Sequence, residues 1–416
     1  MTAAELSLLA ILAVIAASFT SRLNVGILAI ALAGSIAIYA GGWKADRVLG
    51  VFPSSLFLTL LGVTLLFGAA QANGTMAALT QRALAATAGR AGWLPPLLFA
   101  LACLVSTLGP GAIATIALLA PLAMAASVRA GVPPFLAALM IGNGANAGNL
   151  SPFSAVGVVV NTAMAKVGLA GAEWRVWLVN FVAHLLAAAV AWLLFGGPRL
   201  LRDGTRATLE APAPLARRHV ATLAVGAAWV AAVVLLKVNL GLAAFAGTAL
   251  LVLGGAAEDA ATLKAVPWSV LVMVCGVSVL IGVLEGTGGM TLFTDLLARI
   301  ATPGSVNGVI AFITGTISTY SSTSGVVYPT FLPTVPGLVA RIGGGDPLEV
   351  ALSITVGAAL VDVSPLSTLG AMCIAALPAG HDPAKLFRQL LLWGLAMTVV
   401  GALFCQLLIG LFAGTR

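Results

Sequence analysis

The densest polar cluster within an apolar stretch is G-N-G-A-N-A-G-N-L-S-P-F-S, residues 142–154, which holds Asn143, Asn146, Asn149, Ser151 and Ser154. A second segment of this kind, G-A-A-L-V-D-V-S-P-L-S over 357–367, carries Asp362, Ser364 and Ser367. Two more polar interruptions, S-T-L-G-P-G at 106–111 and S-T-Y-S-S-T-S-G at 318–325, add Ser106, Thr107, Ser318, Thr319, Ser322 and Thr323. Hydroxyls and amides are neutral donors and acceptors, so these sets suit binding rather than covalent chemistry. Where a membrane helix breaks, carbonyl oxygens can coordinate a hard cation such as sodium, and the half-helix N-terminus offers free N–H groups and a positive dipole end to an anion. Glycine and Ser-Pro at this depth are expected to unwind the backbone, which is tolerated in a bilayer only where the segment is buried in protein or lines a hydrated cavity. Candidate substrate ligands are therefore Ser106, Thr107, Asn146, Asn149, Ser151, Ser318, Thr319, Ser322, Ser364 and Ser367. Candidate sodium ligands are Ser106, Asn143, Asn146, Ser318, Thr323 and Asp362. Asp362 is the one carboxylate well inside an apolar run, and the cost of desolvating it makes it a candidate sodium ligand or proton carrier; capping the following half-helix is compatible with either role.

The segments around these residues must be membrane spans. Of the 416 residues 60% are hydrophobic and 8% charged, and the mean hydropathy is +1.10. A soluble domain carries about 25% charged residues, so that class is excluded. The net charge of +7, spread over so apolar a chain, fits loops facing a cytoplasm and excludes a nucleic-acid partner. The cysteines, Cys103, Cys275, Cys373 and Cys405, form no C-x-x-C pair and read as small core residues. His184 is the one histidine within an expected span, with no second ligand at metal spacing, and reads as a packing residue. With no nucleophile and base and no metal cluster, no enzyme is expected. The N-terminal stretch lacks a basic n-region and reads as a retained span.

At roughly 20 residues per crossing, spans are expected near 4–20, 24–41, 52–72, 135–163 and 175–197, then 219–236, 239–256, 267–286, 348–378 and 384–412. The apolar runs 94–128 and 306–340 are too long for one crossing and too interrupted for one helix, which suits re-entrant hairpins. The linker at 198–218 carries Arg199, Arg202, Arg206, Arg217 and Arg218 against Asp203 and Glu210. The positive-inside rule places it in the cytoplasm and both termini outside, in a plasma membrane of bacterial inner-membrane type.

The two halves repeat in sequence as well as in hydropathy. R-L-N-V-G at 22–26 answers K-V-N-L-G at 237–241, and Pro53, Ser55, Gly62, Gly68, Gly74 and Met76 return at an offset of 214 as Pro267, Ser269, Gly276, Gly282, Gly288 and Met290. Ser106-Thr107 returns as Ser318-Thr319, and Ser151-Pro152 as Ser364-Pro365, which places Asp362 opposite Asn149. Five crossings per half force the second copy to be inverted. The expected fold class is an all-α polytopic membrane protein, an inverted repeat of two halves, each with five transmembrane helices, one broken, plus a re-entrant hairpin. Inverted repeats with paired broken helices are the pattern of secondary transporters.

Paired hairpins with Ser-Thr tips, the broken-helix motifs S-P-F-S-A-V-G and S-P-L-S-T-L-G, and the duplication resemble the ion transporter superfamily, and within it MatC-type dicarboxylate carriers. Nearly the whole chain is covered, and the architecture is similar to that of divalent anion/sodium symporters. The resemblance implies elevator transport, a homodimer in the lipid bilayer, and a small dicarboxylate substrate of the malonate or C4 class, with sodium as coupling ion and protons as the alternative, and no other cofactor. It implies a division into a first repeat at 1–197 (scaffold 1–75, amphipathic interfacial arm 76–91, transport part 93–197) and a second at 219–416 (scaffold 219–289, arm 290–302, transport part 305–412). Both tips lack the Asn of the symporters' Ser-Asn-Thr, and Asn143, Asn146 and Asn149 are candidates to compensate. Importing a dianion against about 100 mV costs roughly 4.6 kcal/mol, about 2.3 per charge, so two cations are needed to cancel it. The rivals are a proton-coupled symporter, an antiporter or arsenite-type pump subunit of another small anion, and an anion channel.

Overall fold

The computed structural model describes residues 1–20, 23–85, 91–203 and 214–414. Arg22, Arg90, Arg206 and Glu210, with the middle of the expected linker (204–213) and residues 86–90 of the expected first arm, lie outside the described residues. The described residues are all-helical, and the protein is a multi-pass membrane protein.

The first half consists of α1 (Ala3–Thr20), α2 (Val25–Ser35, prolonged by a π-helical turn Ile36–Ala40), α3 (Ser54–Ala72), the amphipathic α4 (Thr75–Ala85), the hairpin arms α5 (Leu94–Leu108) and α6 (Gly111–Arg129), α7 (Pro134–Asn149), α8 (Ala155–Lys166) and α9 (Glu173–Leu194). The second half runs α10 (Arg217–Leu235), α11 (Leu240–Leu253), α12 (Trp268–Gly286), α13 (Gly289–Ala298), α14 (Val306–Tyr320), a returning arm of short helical pieces over 323–342, then α15 (Pro347–Leu360), α16 (Thr368–Ala375) and α17 (Pro383–Ala413).

The duplication seen in sequence is repeated in backbone geometry. Pro53 before α3 has φ −80° and ψ 66°, and Pro267 before α12 has φ −78° and ψ 67°. Gly74 and Gly288, which turn the chain into the amphipathic helices, have φ +85° and +83°, where a side chain would be strained. Asn24 and Asn239 each cap the next helix, accepting from Gly26 N and Leu242 N. The same local residues impose the same local structure twice.

Small residues bring the halves together. α2 crosses α12 and α11 crosses α3, so each half lends a helix to the other. A Cβ on Gly26 would enter the backbone of Val272 and Met273, and one on Gly276 would enter that of Gly26 itself; Gly62 and Gly241 meet in the same way. Close approach of this kind is what glycine supplies between membrane helices. We predict that Gly26→Leu lowers stability by about 1–3 kcal/mol through overpacking, whereas Gly34→Leu, where a Cβ meets nothing within 4 Å, is near neutral; thermal unfolding in detergent checks the pair.

The interior divides into one large apolar cluster, built mainly from hairpins, broken helices and last spans of both halves, and smaller clusters centred on α1–α3 and α10–α12. Within the large cluster α7 and α15 are wrapped by α5, α6, α9, α14 and α17, and α16 of the second half lies against α6 of the first.

One local expectation is overturned. The glycines and asparagines of 142–149 do not unwind the chain: α7 remains helical through Gly142, Gly144 and Gly148, and only 150–154 leaves the helix. The physical reason is close packing, since Gly144 lies on the Phe99 backbone and Gly148 on that of Cys103 and Thr107. Gly357 likewise stays inside α15, against Ala311. A further difference concerns the first hairpin, whose two arms are both long and apolar enough to cross a bilayer by length and composition.

Candidate functional site

The first hairpin tip is shaped by glycine. Gly109 (φ +155°) ends α5 against the Phe67 ring and Gly111 (φ +74°) begins α6. The tip is then fastened to the first helix break. Ala155 N donates to Gly109 O at 2.9 Å, Ser151 Oγ donates to Thr107 O at 2.7 Å, and Ala112 N donates to Asn149 Oδ1 at 2.9 Å. Ser154 caps α8, accepting from Gly157 N and donating to Asn149 O.

The second tip and break follow the same plan with one change of charge. Ser322 caps the returning arm by accepting from Gly325 N at 3.1 Å, and Ser318 Oγ, paired with Thr323 Oγ1, donates to Ala358 O at 2.8 Å. Ser367 Oγ donates to the Asp362 carbonyl as Ser154 does to that of Asn149. Thr323 and Ser367 line the same cavity as Asp362. A carboxylate with two hydroxyls is a hard oxygen set of the type that suits an alkali cation.

The second tip, the second break and the residues flanking the first tip and first break share one cavity of about 480 Å³, lined by Ala112, Asn149, Ser321, Ser322, Thr323, Ser324, Asp362, Ser367 and Thr368, with Asn24 and Ser269 on the facing side. Asn24 Nδ2 donates to Ser269 O at 2.8 Å and to its Oγ at 3.0 Å, joining α2 to α12. The starts of five helical segments converge here: α2 at Val25, α6 at Ala112, α12 at Ser269, the returning arm at Thr323 and α16 at Thr368. No Lys or Arg is among the lining residues, and Asp362 is the one carboxylate among them. Helix starts present positive dipole ends and N–H groups, one of which at three of these starts is taken by Asn24, Asn149 or Ser322, so the wall favours an anion beside a carboxyl group that favours a cation.

Of the residues singled out from sequence, Asn149, Ser322, Thr323, Asp362 and Ser367 line this cavity. Ser106, Thr107, Asn143, Asn146, Ser151, Ser318, Thr319 and Ser364 lie behind its wall. Ser151 and Ser318 bind backbone carbonyls that hold the tips in place, Thr319 donates to Gly315 O in its own helix, and Ser364 accepts from Leu366 N at 3.3 Å. Asn24, Ser269, Ser321, Ser324 and Thr368 were missed. Asn24 and Ser269 belong to the matched repeat segments, but each reads as an ordinary helix-end residue until the facing helices are placed. We predict that Asn149→Ala, which strips the acceptor from the buried Ala112 N–H, costs about 1–3 kcal/mol. Thermal unfolding of the variant measures this, and a change below about 0.5 kcal/mol would mean that water replaces the amide.

The first 149 residues match the family model for the N-terminus of the dicarboxylate carrier protein MatC. No curated protein matches the chain. The crystal structure of the YdaH transporter from Alcanivorax borkumensis, described as having an unusual topology, superposes with a TM-score of 0.59 over 88% of this chain and 90% of that one, at 15% identity. The fold is shared with a membrane transporter. Both matches are to transport proteins and neither is to an enzyme.

Proposed function

We propose that the protein is a secondary active transporter that imports small dicarboxylates, of the malonate or C4 class, together with cations, sodium first. The observation that carries this reading is the convergence of five helix starts with Asp362, Thr323 and Ser367 on one cavity without a basic side chain among its lining residues. A carboxylate substrate would be held by backbone N–H groups, the Ser322 and Ser324 hydroxyls and Asn149. A cation beside Asp362 would neutralise part of its charge on the way in. The match of the first 149 residues to a dicarboxylate carrier family supports the substrate class. Both asymmetric groups, one for each charge, fit coupled binding better than the continuous pore of a channel.

The duplicated elements and the exchanged helices favour an inverted repeat with a scaffold of α1–α3 and α10–α12. The large apolar cluster would then move as a body in an elevator cycle, in a homodimer whose second copy stabilises the scaffold. With the arginine-rich linker cytoplasmic, counting crossings puts Asn24 and Ser269 at the cytoplasmic ends of α2 and α12, so the cavity beside them is inward-facing. A second cavity of about 510 Å³ between Pro53, Glu285, Lys166 and Pro333 lies toward the opposite ends of α3 and α12 and is the space into which the site would rise.

The deciding experiment is uptake of radiolabelled malonate and succinate into proteoliposomes at fixed membrane potential, under an inward sodium gradient, a proton gradient, or neither. Accumulation with sodium is the expected result. Accumulation with protons alone would make Asp362 the proton carrier, and flux that neither saturates nor concentrates would establish the channel instead.

A further inference from the structure

The two halves differ where their first helices meet the rest of the protein. α1 and α10 are counterparts, related by the same offset of 215 that carries 22–26 onto 237–241, and α3 and α4 answer to α12 and α13 at 214. Their polar ends are fastened alike: Ser7 Oγ is 2.9 Å from Thr287 Oγ1, and at the matching positions Asn73 Nδ2 donates to Thr222 Oγ1 at 2.7 Å. Beyond these bonds the two arrangements part. On α1, Ala10, Ile11, Val14 and Ile15 are buried in one cluster with Leu280, Ile281 and Leu284 of α12. On α10 the matching face lines an apolar groove of about 630 Å³, with Leu66, Phe67, Ala70 and Met76 across it.

The groove comes from shortened side chains. Gly226 stands where α1 has Ile11, Val230 where it has Ile15, and Ala70 where α12 has Leu284. Ile11 is fully buried, whereas a Cβ on Gly226 would meet nothing within 4 Å. The same fold is thus built once with this contact packed and once with it open. Protein interiors are otherwise close-packed, and a groove of this size is in the range that holds a ligand, about 300–1,000 Å³.

The mouth of the groove carries charge. Its lining runs along α10 from Thr222 to Leu235, about 20 Å at 1.5 Å per residue, more than one leaflet's share of a hydrocarbon core about 30 Å thick. Arg217 and Arg218 stand just before Thr222, whose hydroxyl donates to Arg218 O at 2.8 Å. Both arginines are exposed, and Arg218 Nε donates to the His219 ring at 3.4 Å. Among the described residues neither has an acidic partner. At the matching positions of the packed half stand Thr2 and Ala3.

We propose that this groove is a lipid site, which takes one acyl chain of an anionic phospholipid and meets its phosphate with Arg217 and Arg218. Guanidinium groups pair well with phosphate, and basic groups at the end of an apolar cleft between membrane helices suit an anionic headgroup. A second copy of this chain seated on the same face would bring four arginines to one depth about the twofold axis, which like charges oppose. Leu108 of the first hairpin tip also lines the groove, so the chain lies between α3, α10 and that tip.

The test uses the full-length protein in proteoliposomes with a trace of phosphatidylglycerol or phosphatidylcholine, both bearing the same photoactivatable diazirine acyl chain. After illumination, labelled peptides are identified by mass spectrometry. Phosphatidylglycerol is expected to label 222–235 and 66–76 at least fivefold more than phosphatidylcholine, while the exposed α17 face at Leu403, Leu407 and Leu411 is labelled equally by both. Gly226→Ile with Ala70→Leu fills the groove with the residues of the packed half and is expected to lower the phosphatidylglycerol label at least fivefold, with no loss of melting temperature. Arg217→Gln with Arg218→Gln, which leaves the groove itself untouched, is expected to bring that label down to the level of phosphatidylcholine. If the filled variant melts lower, the arginine variant decides. Equal labelling of the groove by the two lipids, undiminished label in a folded filled variant, or a preference that survives loss of both arginines overturns the proposal. So does a groove that takes no label while Gly226→Cys crosslinks to a second copy.

Discussion

Asp362→Asn is expected to lower cation-driven dicarboxylate uptake at least tenfold while leaving the protein folded. The substitution keeps the volume and one acceptor oxygen, and the Ser367 hydroxyl, which donates to the Asp362 and Ser364 backbone carbonyls, keeps both partners. What disappears is the one carboxyl group among the cavity-lining residues. A cation held by that carboxylate and the hydroxyls of Thr323 and Ser367 would then lose its counter-charge, and a tenfold loss of affinity corresponds to about 1.4 kcal/mol. The measurement is the sodium concentration for half-maximal uptake in proteoliposomes, with pH varied in parallel. The natural control stands at the matching position of the other half: Asn149 shows that the same fold accepts an amide there, with its Oδ1 bound to Ala112 N at 2.9 Å. If Asp362→Asn transports with unchanged cation dependence, the coupling ion binds elsewhere and the proposed site is wrong.

A mercury bridge between Met273→Cys and Gly325→Cys is expected to abolish uptake, and removal of the mercury by excess thiol to restore it. Met273 belongs to α12 in the proposed scaffold, and Gly325 begins the returning arm of the second hairpin. A Cβ on Gly325 would touch the Met273 side chain, so two cysteines there are within bridging range of a small thiol-specific mercurial. The four native cysteines are buried and would first be replaced by Ala or Ser. The contact is also asymmetric. The returning arm packs against α12, and α8 packs against α3, yet α6 has no comparable packing on α3 and α16 none on α12. In an elevator cycle built on an inverted repeat, those unmatched contacts are the ones that exchange. A crosslinked protein that transports at the rate of the mercury-free one would show that the second tip need not leave α12, and would remove the elevator reading.

Much of this architecture is decided by local sequence. Pro53 and Pro267, Gly74 and Gly288, and Asn24 and Asn239 act within a residue or two of themselves, so the paired starts, turns and caps follow from residue type and recur at a constant offset. The hairpin tips and the breaks at Ser151-Pro152 and Ser364-Pro365 are legible for the same reason, since glycine, proline and serine act on the backbone directly.

Orientation is another matter. Whether a polar side chain in an apolar helix meets the cavity or a neighbouring backbone depends on how the helices pack, and no local signal separates Asn149, which lines the cavity, from Asn146 one turn earlier, which is fully buried behind it. Nor does local sequence distinguish the glycines of α7, which serve close packing on α5, from glycines that would unwind a helix. Asn24 and Ser269 lie 245 residues apart and become part of one wall because α2 and α12 cross. By itself, then, the sequence determined a duplicated membrane protein with four polar interruptions, because backbone breaks are local. Tertiary structure alone decided which of their groups share a cavity, because that depends on the direction each helix face takes after two distant halves interlock.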